Sequence, residues 1–447
     1  MPPRRLIVLD VLRGFFILYV IILHGFTGVV YGNHAEALEK LPLWLIIVFA
    51  PFLLLSTWAP VFVVISGIAQ AYVLSGLVFQ KDPSKPLSLR NFFGGALVTS
   101  LFLYMLSFMN MALFHHPMDY AGKFRYTFVT GALHNGAWLP FDFHLVFYND
   151  ALGMIAINGL LVTVMLYLLW KLNCLQRTRR AAMILGLTTA FIFLLSPFLH
   201  SRLDPLFFTA LDERRIGLAL FLKLFVGVGF STFPYAAYGM IGMILGLFLA
   251  KHKEAKWLRH TGYDVATAMI VSGVVLTIMT GFEPKDVIHH PYPFNMQLIV
   301  LGTILLTCIW LILRLEYCTE EQRARRAKRT LWLRRFGLLA LTIFCCESVF
   351  SMLLSIGYRK LFGYGDFFPK NPLHIIFFIS LNVLFWSVVL KNWEKIDFKY
   401  SIEWWISRIA GMVRGRPSVR LQADAILYQP CVPIRTTVTP CVAKADI

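Results

Sequence analysis

Charge is what this chain has least of. Only 15% of its 447 residues are Asp, Glu, Lys or Arg, while 58% are hydrophobic. That balance excludes an ordinary soluble domain, in which about a quarter of the residues are charged. Cysteine is also scarce: there are seven, at 174, 308, 318, 345, 346, 431 and 441. They lie in apolar stretches, inner loops or the tail without zinc-ligand spacing, so neither a disulfide framework nor a structural zinc is implied. No internal period of about 20 to 50 residues and no low-complexity tract is visible, which excludes a solenoid. The opening MPPRR precedes an apolar run that no A-x-A-like site closes, so it reads as retained rather than as a signal peptide.

Long apolar runs are what the chain does have. With a mean hydropathy of +0.67, it holds stretches able to span a membrane at about 6–31, 58–79, 91–113, 145–170, 181–199, 232–250, 264–281, 294–313, 336–357 and 373–390, at roughly 20 residues per crossing. Two more, 42–57 and 216–230, are broken by Pro51 or by Lys223, Gly227 and Gly229, and read as interfacial or re-entrant pieces. The expected fold class is an all-α polytopic transmembrane helix bundle of about ten spans. Residues 1–391 form one integral membrane domain, 392–417 a Trp- and Lys-bearing interfacial helix on the cytoplasmic side, and 418–447 a disordered tail.

The net charge of +18 would suit a polyanion, but its distribution points elsewhere. If the N-terminus is cytoplasmic, thirty of the 42 Lys and Arg fall on inner segments and ten on outer ones, the other two being Arg13 and Lys223. This is the positive-inside bias, and it predicts both termini in the cytoplasm. The run RARRAKRTLWLRR (323–335) is then an anchor at anionic lipid, and no nucleic-acid partner is implied.

The first span carries three ionisable residues, Asp10, Arg13 and His24, each costly in hydrocarbon unless it faces a partner or a cavity. Eleven residues separate Arg13 from His24, three helical turns within about 20°, so both lie on one face roughly 16 Å apart along the axis. Asp10 joins that face. A snorkelling ion pair and a satisfied core histidine are the bland explanations, and from spacing alone they stay open beside a functional stripe.

The stretch LDVLRGFFILYVIILHG (9–25) resembles the opening signature of the transmembrane acyltransferase superfamily, which groups the acyltransferase type 3, OpgC-like, YeiB-like and heparan-α-glucosaminide N-acetyltransferase-like families. That signature is Leu-Asp-x-x-Arg-Gly with an Arg-x10-His spacing, which Arg13 and His24 fit. APVFVVISGIAQAYVL (59–74), with its Ser66-Gly67, is similar to the second signature. The stretches 148–161, 233–251 and 336–357 resemble later spans of the YeiB-like and heparan-glucosaminide branches.

The resemblance implies an acyl-CoA co-substrate, acetyl-CoA or succinyl-CoA, entering from the cytoplasm of a bacterial inner membrane. Arg13 would hold its phosphates or pantetheine arm, Asp10 would orient Arg13, and His24 would be the general base or acyl carrier for a glycan or glycolipid acceptor on the outer side. The heparan-glucosaminide branch has Asn at the position of His24 and its histidine in the following outer segment, which makes His34 in YGNHAE a competing catalytic candidate. Arg90 in LSLRNFF resembles an arginine of type 3 members, whose usual second arginine is missing here. The oligomeric state, a homodimer included, stays open.

On the outer side HHPMD (115–119) offers metal-ligand types without zincin-type spacing, and no metal is implied. The aromatic residues of the loop 114–144 suit an interfacial belt or sugar stacking. Glu347, inside the ninth span, needs a partner facing the bundle; Lys223 and the arginines are the candidates. The rival functions are a transporter using Asp10, Arg13 and His24 as a proton relay, and a non-catalytic subunit of a membrane complex.

Overall fold

The computed structural model describes residues 5–30, 54–79, 89–120, 123–251, 255–281, 291–365, 371–414 and 422–429. Among them are ten helices long and apolar enough to cross a membrane, matching the ten hydropathic stretches, so the chain is an all-α integral membrane protein. In chain order the helices are α1 (Ile7–His24), α2 (Val61–Phe79), α3 (Leu89–Met109), α4 (Phe128–Asn135), α5 (Ala151–Lys171), α6 (Thr178–Asp212), α7 (Ile216–Lys223) and α8 (Thr232–Ala250). They continue with α9 (Ala255–Thr280), α10 (Phe294–Leu315), α11 (Glu320–Arg329), α12 (Leu331–Leu338), α13 (Ala340–Leu361), α14 (Pro372–Trp393) and α15 (Ile402–Arg414). One small antiparallel hairpin, β1 (Met118–Tyr120) with β2 (Lys123–Arg125), lies between α3 and α4.

Local chemistry sets the helix ends. The Asp150 carboxylate accepts from the Gly153 N–H at 2.8 Å and caps α5, and Asn371 does the same for α14, with Pro372 next to it. Each supplies an acceptor to an N–H that has no partner within its helix. α11 starts with Glu320 and Glu321 and ends with Arg326, Lys328 and Arg329, the order that the helix dipole favours.

α8 is the central helix, packed against α2, α6 and α5; α3 lies on α5, α9 on α10, and α1 on α12. The α1–α12 crossing is backbone on backbone. A Cβ at Gly14 would collide with the Leu333 carbonyl, and one at Gly337 with the Asp10 carbonyl; small residues at such crossings let membrane helices approach closely. Outward, α6 exposes Met183, Leu187, Phe191, Leu194 and Phe198, and α9 exposes Val271, Val274, Val275, Ile278 and Met279, the apolar surface that hydrocarbon covers without cost.

One segment outruns its sequence expectation, one is as short as expected, and part of the expected tail is helical. The fifth span, expected to stop at 199, continues as helix to Asp212 through Pro197 and Pro205; its length of about 52 Å exceeds a hydrocarbon core of about 30 Å. The stretch 216–230 is the eight-residue α7 followed by Gly227 and Gly229 at φ of 102° and 92°, too short to cross. Within 418–447, residues 422–429 pack as a short turn of helix with Ile426 and Leu427 buried. The buried Arg334 holds it there by donating to the Ile426 carbonyl and, at 2.9 Å, to that of Leu427. The remainder of that tail, and most of 42–57, lies outside the described residues. Within 392–417, where an interfacial helix is expected, α14 ends at Trp393 and α15 (Ile402–Arg414) lies against α3.

Candidate active site

His24 is the last α-helical residue of α1, and the chain continues as a π-helix, Gly25–Val30. A second π-helix, Asn110–Phe114, follows α3 and delivers His115 and His116. π-Helical turns are rare and concentrate at functional sites; these two each adjoin a histidine, whereas a third, Asp424–Tyr428, adjoins none. The third element is α13, which brings Glu347 to the same point.

Glu347 is the partner of both imidazoles. Its Oε1 takes a hydrogen bond from His24 Nδ1, and His116 Nε2 stands 3.3 Å from Oε1 and 3.4 Å from Oε2. Glu347 and His116 are buried, whereas the His24 side chain is 23% exposed, so access to the cluster is on the His24 side. An ionised carboxylate only accepts, so Nδ1 of neutral His24 carries the proton and Nε2 has a free lone pair.

The segment carrying His116 is pinned. Ser348, next to Glu347, donates to the Phe114 carbonyl. Thr127 and Thr130 donate to that of His115 at 2.7 and 2.6 Å, and His115 Nδ1 donates to the His116 carbonyl at 2.9 Å. Burial drives the His115 imidazole down to about 3, the neighbouring His116 carbonyl only partly opposing it. Gly28 admits the ring of His116, because a Cβ there would lie 2.8 Å from Nδ1 and 2.9 Å from Cγ.

At the other end of α1, Asp10 is held chiefly by a residue that sequence reasoning passed over. Arg5 binds it through two hydrogen bonds of 2.7 and 2.8 Å, while Arg13 Nη1 stands 3.8 Å away. Glu316 accepts from the Val8 N–H at 3.0 Å and pairs at 2.8 Å with buried Arg323, which also donates to the Arg5 carbonyl. Asp10 and Arg13 thus belong to an ionic network that fastens the start of α1. Arg90 is the second residue of α3; its side chain, like the whole of His34, lies outside the described residues.

Lys223, one of the candidate partners of Glu347, is elsewhere. Its Nζ donates to the Val146 carbonyl at 2.7 Å and lies 4.4 Å from the centre of the Phe108 ring. Burial pulls it down to about 8 against the favourable charge of Asp150. Asp150 in turn accepts from Ser107.

Sequence spacing singles out His24, and cost in hydrocarbon singles out Glu347, but the third member, His116, was read as an outer-loop residue. Its only local signal is the doubled histidine at 115–116. No protein-family model, no curated protein and no solved structure matches this chain.

Proposed function

We propose that this protein is a membrane-bound acyltransferase in which His24 is the general base and Glu347 orients it. The single observation that carries the reading is the buried carboxylate on His24 Nδ1, the arrangement that fixes the tautomer of a catalytic imidazole and stabilises its protonated form. His24 Nε2 takes the proton of an acceptor hydroxyl or amine as that group attacks the thioester carbonyl of an acyl-CoA. The tetrahedral intermediate then expels the CoA thiolate, which takes the proton back from His24. Acetyl or succinyl is the acyl group, and a glycan or glycolipid the acceptor.

Arg13, about 16 Å down the same helix face, binds the donor's phosphates through its planar fork, with Asp10 and Arg5 setting its position and Arg90 assisting. The donor enters from the cytoplasm of a bacterial inner membrane, with both termini on that side. Purified protein should show CoA-dependent thermal stabilisation and release of CoA thiol from acetyl-CoA or succinyl-CoA in the presence of glycan acceptors. No stabilisation by CoA at millimolar concentration would overturn the reading.

A second reading, proton-coupled transport, draws on the buried Lys223, whose charge Asp150 favours, a second buried ionisable site of the kind that relays protons in transporters. CoA binding separates the two, because a proton relay has no use for the nucleotide.

A further inference from the structure

One imidazole is enough for Glu347 to orient a base, yet it faces two. The acyl-transfer steps leave His116 unused, although its segment is fastened by Ser348, Thr127 and Thr130 and Gly28 makes room for its ring. One ligand atom each from His24, His116 and Glu347 lies within 4.8 Å of the others. His116 Nε2 sits at 3.3 and 3.4 Å from the two Glu347 oxygens. In a tetrahedral zinc site with bonds of about 2.0–2.1 Å, neighbouring ligand atoms stand about 3.3 Å apart. The spacing between His116 and Glu347 already has that edge, and the partly exposed His24 side leaves the fourth position open.

We propose that His24, His116 and Glu347 bind a divalent transition metal of the zinc class and that the ion switches the acyl-transfer site off. Two nitrogens and a carboxylate select zinc, cobalt or nickel over magnesium and calcium, which prefer all-oxygen sites. The second half of the proposal rests on the acyltransferase reading. A metal on Nδ1 of a neutral imidazole requires its single proton on Nε2, the atom that must be free to accept the acceptor's proton. Occupancy by the metal and action as a base therefore exclude one another at His24. His116 Nδ1 is buried with no hydrogen-bond partner among the described residues, so the site lacks one of the outer supports that tighten metal sites about 10- to 100-fold. Binding should accordingly be reversible, in the range of about 1 to 100 µM.

The test uses the full, tag-free chain in detergent micelles, stripped with chelator and titrated with Co2+ while its visible ligand-field absorption is followed. The expected result is one Co2+ per chain in a four- or five-coordinate spectrum, displaced by Zn2+. Binding should be weakened at least about 100-fold in His116→Gln and in Glu347→Gln, and retained when Cys345 and Cys346 are both replaced by Ser. Absence of binding at millimolar Co2+, equal affinity in the His116→Gln variant, or loss of binding in the double cysteine variant would overturn the site. If neither ligand variant folds, the wild-type spectrum decides: nitrogen and oxygen ligation supports the site, and an intense thiolate charge-transfer band overturns it. Saturating Zn2+ should abolish CoA-dependent transfer and added chelator restore it; binding without inhibition overturns the switch alone. A metal-free protein that binds Co2+ as expected yet never turns over acyl-CoA refutes the acyltransferase reading and leaves the metal site standing.

Discussion

Replacing Glu347 with Gln is the most direct perturbation of the site, because it keeps shape and volume and removes only the charge and half of the accepting capacity. The carboxylate meets two imidazole nitrogens, from His24 and His116. A Gln amide at that position has one oxygen to accept with, and its NH2 must face the other ring. When the NH2 faces His24 it selects the tautomer with the proton on Nε2, which cannot act as a base. When the oxygen faces His24 the tautomer is right, but the imidazolium formed during attack has no counter-charge. Both outcomes act on the transition state, so turnover should fall by about 10²- to 10⁴-fold, the range for losing a correctly poised general base. At 1.36 kcal/mol per factor of ten that is about 3 to 5 kcal/mol of barrier. The assay is CoA thiol release under saturating donor, with CoA affinity measured separately by thermal shift. Because Arg13 lies about 16 Å away along α1, KM for acyl-CoA should change by less than about threefold while kcat carries the loss. A folded Glu347→Gln variant with wild-type kcat, or one whose whole defect lies in KM, would refute the assignment of Glu347 as the residue that positions His24.

Four further outcomes are expected. His24→Ala should bind CoA yet lose turnover by about 10²- to 10⁴-fold, while His34→Ala keeps most activity; the reverse pattern would move the chemistry to His34. Arg13→Lys keeps the charge but loses the fork, and at least about a tenfold weaker CoA affinity is expected; unchanged binding would leave Arg13 with only its place in the Arg5–Asp10 network. Gly28→Ala should displace His116, since the new methyl would lie 2.8 Å from the ring, and should weaken Co2+ binding without changing CoA affinity; an unaltered metal spectrum would contradict the packing. At the hairpin, burial raises Asp142, but the hydrogen bond from Arg125 at 2.7 Å and that from the His144 N–H outweigh it and hold the carboxyl below its ordinary value. Its stabilising effect is therefore complete above the unfolded value of about 3.9 and lost as pH falls through the lower folded value. Proteolysis within 123–142 should rise below about pH 4 in the wild type and be elevated already at neutral pH in Asp142→Asn; identical profiles would count against the pair.

The fold was legible because a membrane span declares itself locally: about 20 apolar residues must cross together, whatever they touch. The fifth span reads as ending at 199 because the apolar run gives way there to Ser201, Arg202 and Asp204, yet α6 runs on to Asp212 and contains Pro197 and Pro205. Each removes only one backbone hydrogen bond, and the helix continues through both. The site was half legible. His24 shows itself by its helical phase with Arg13, and Glu347 by the cost of an unpaired carboxylate in hydrocarbon, but 323 residues separate them and no local pattern records a contact at that range. Asp10 illustrates the converse error. The i,i+3 spacing names Arg13 as its partner, yet Arg5, from the extended residues before α1, folds back to bind it in bidentate fashion.

The two π-helical turns also make the site a matter of counting. Each holds one residue more than an α-helical turn would, and the one at Asn110–Phe114 sets which member of the histidine doublet meets Glu347. Deleting a residue there would bring Pro117 to the place of His116, whereas inserting one would seat His115 in it. The identity of the third site residue is thus written as a length: a single-codon insertion in this turn would exchange one imidazole for the other, and a deletion would replace it with a proline, with every other side chain of the cluster unaltered in sequence.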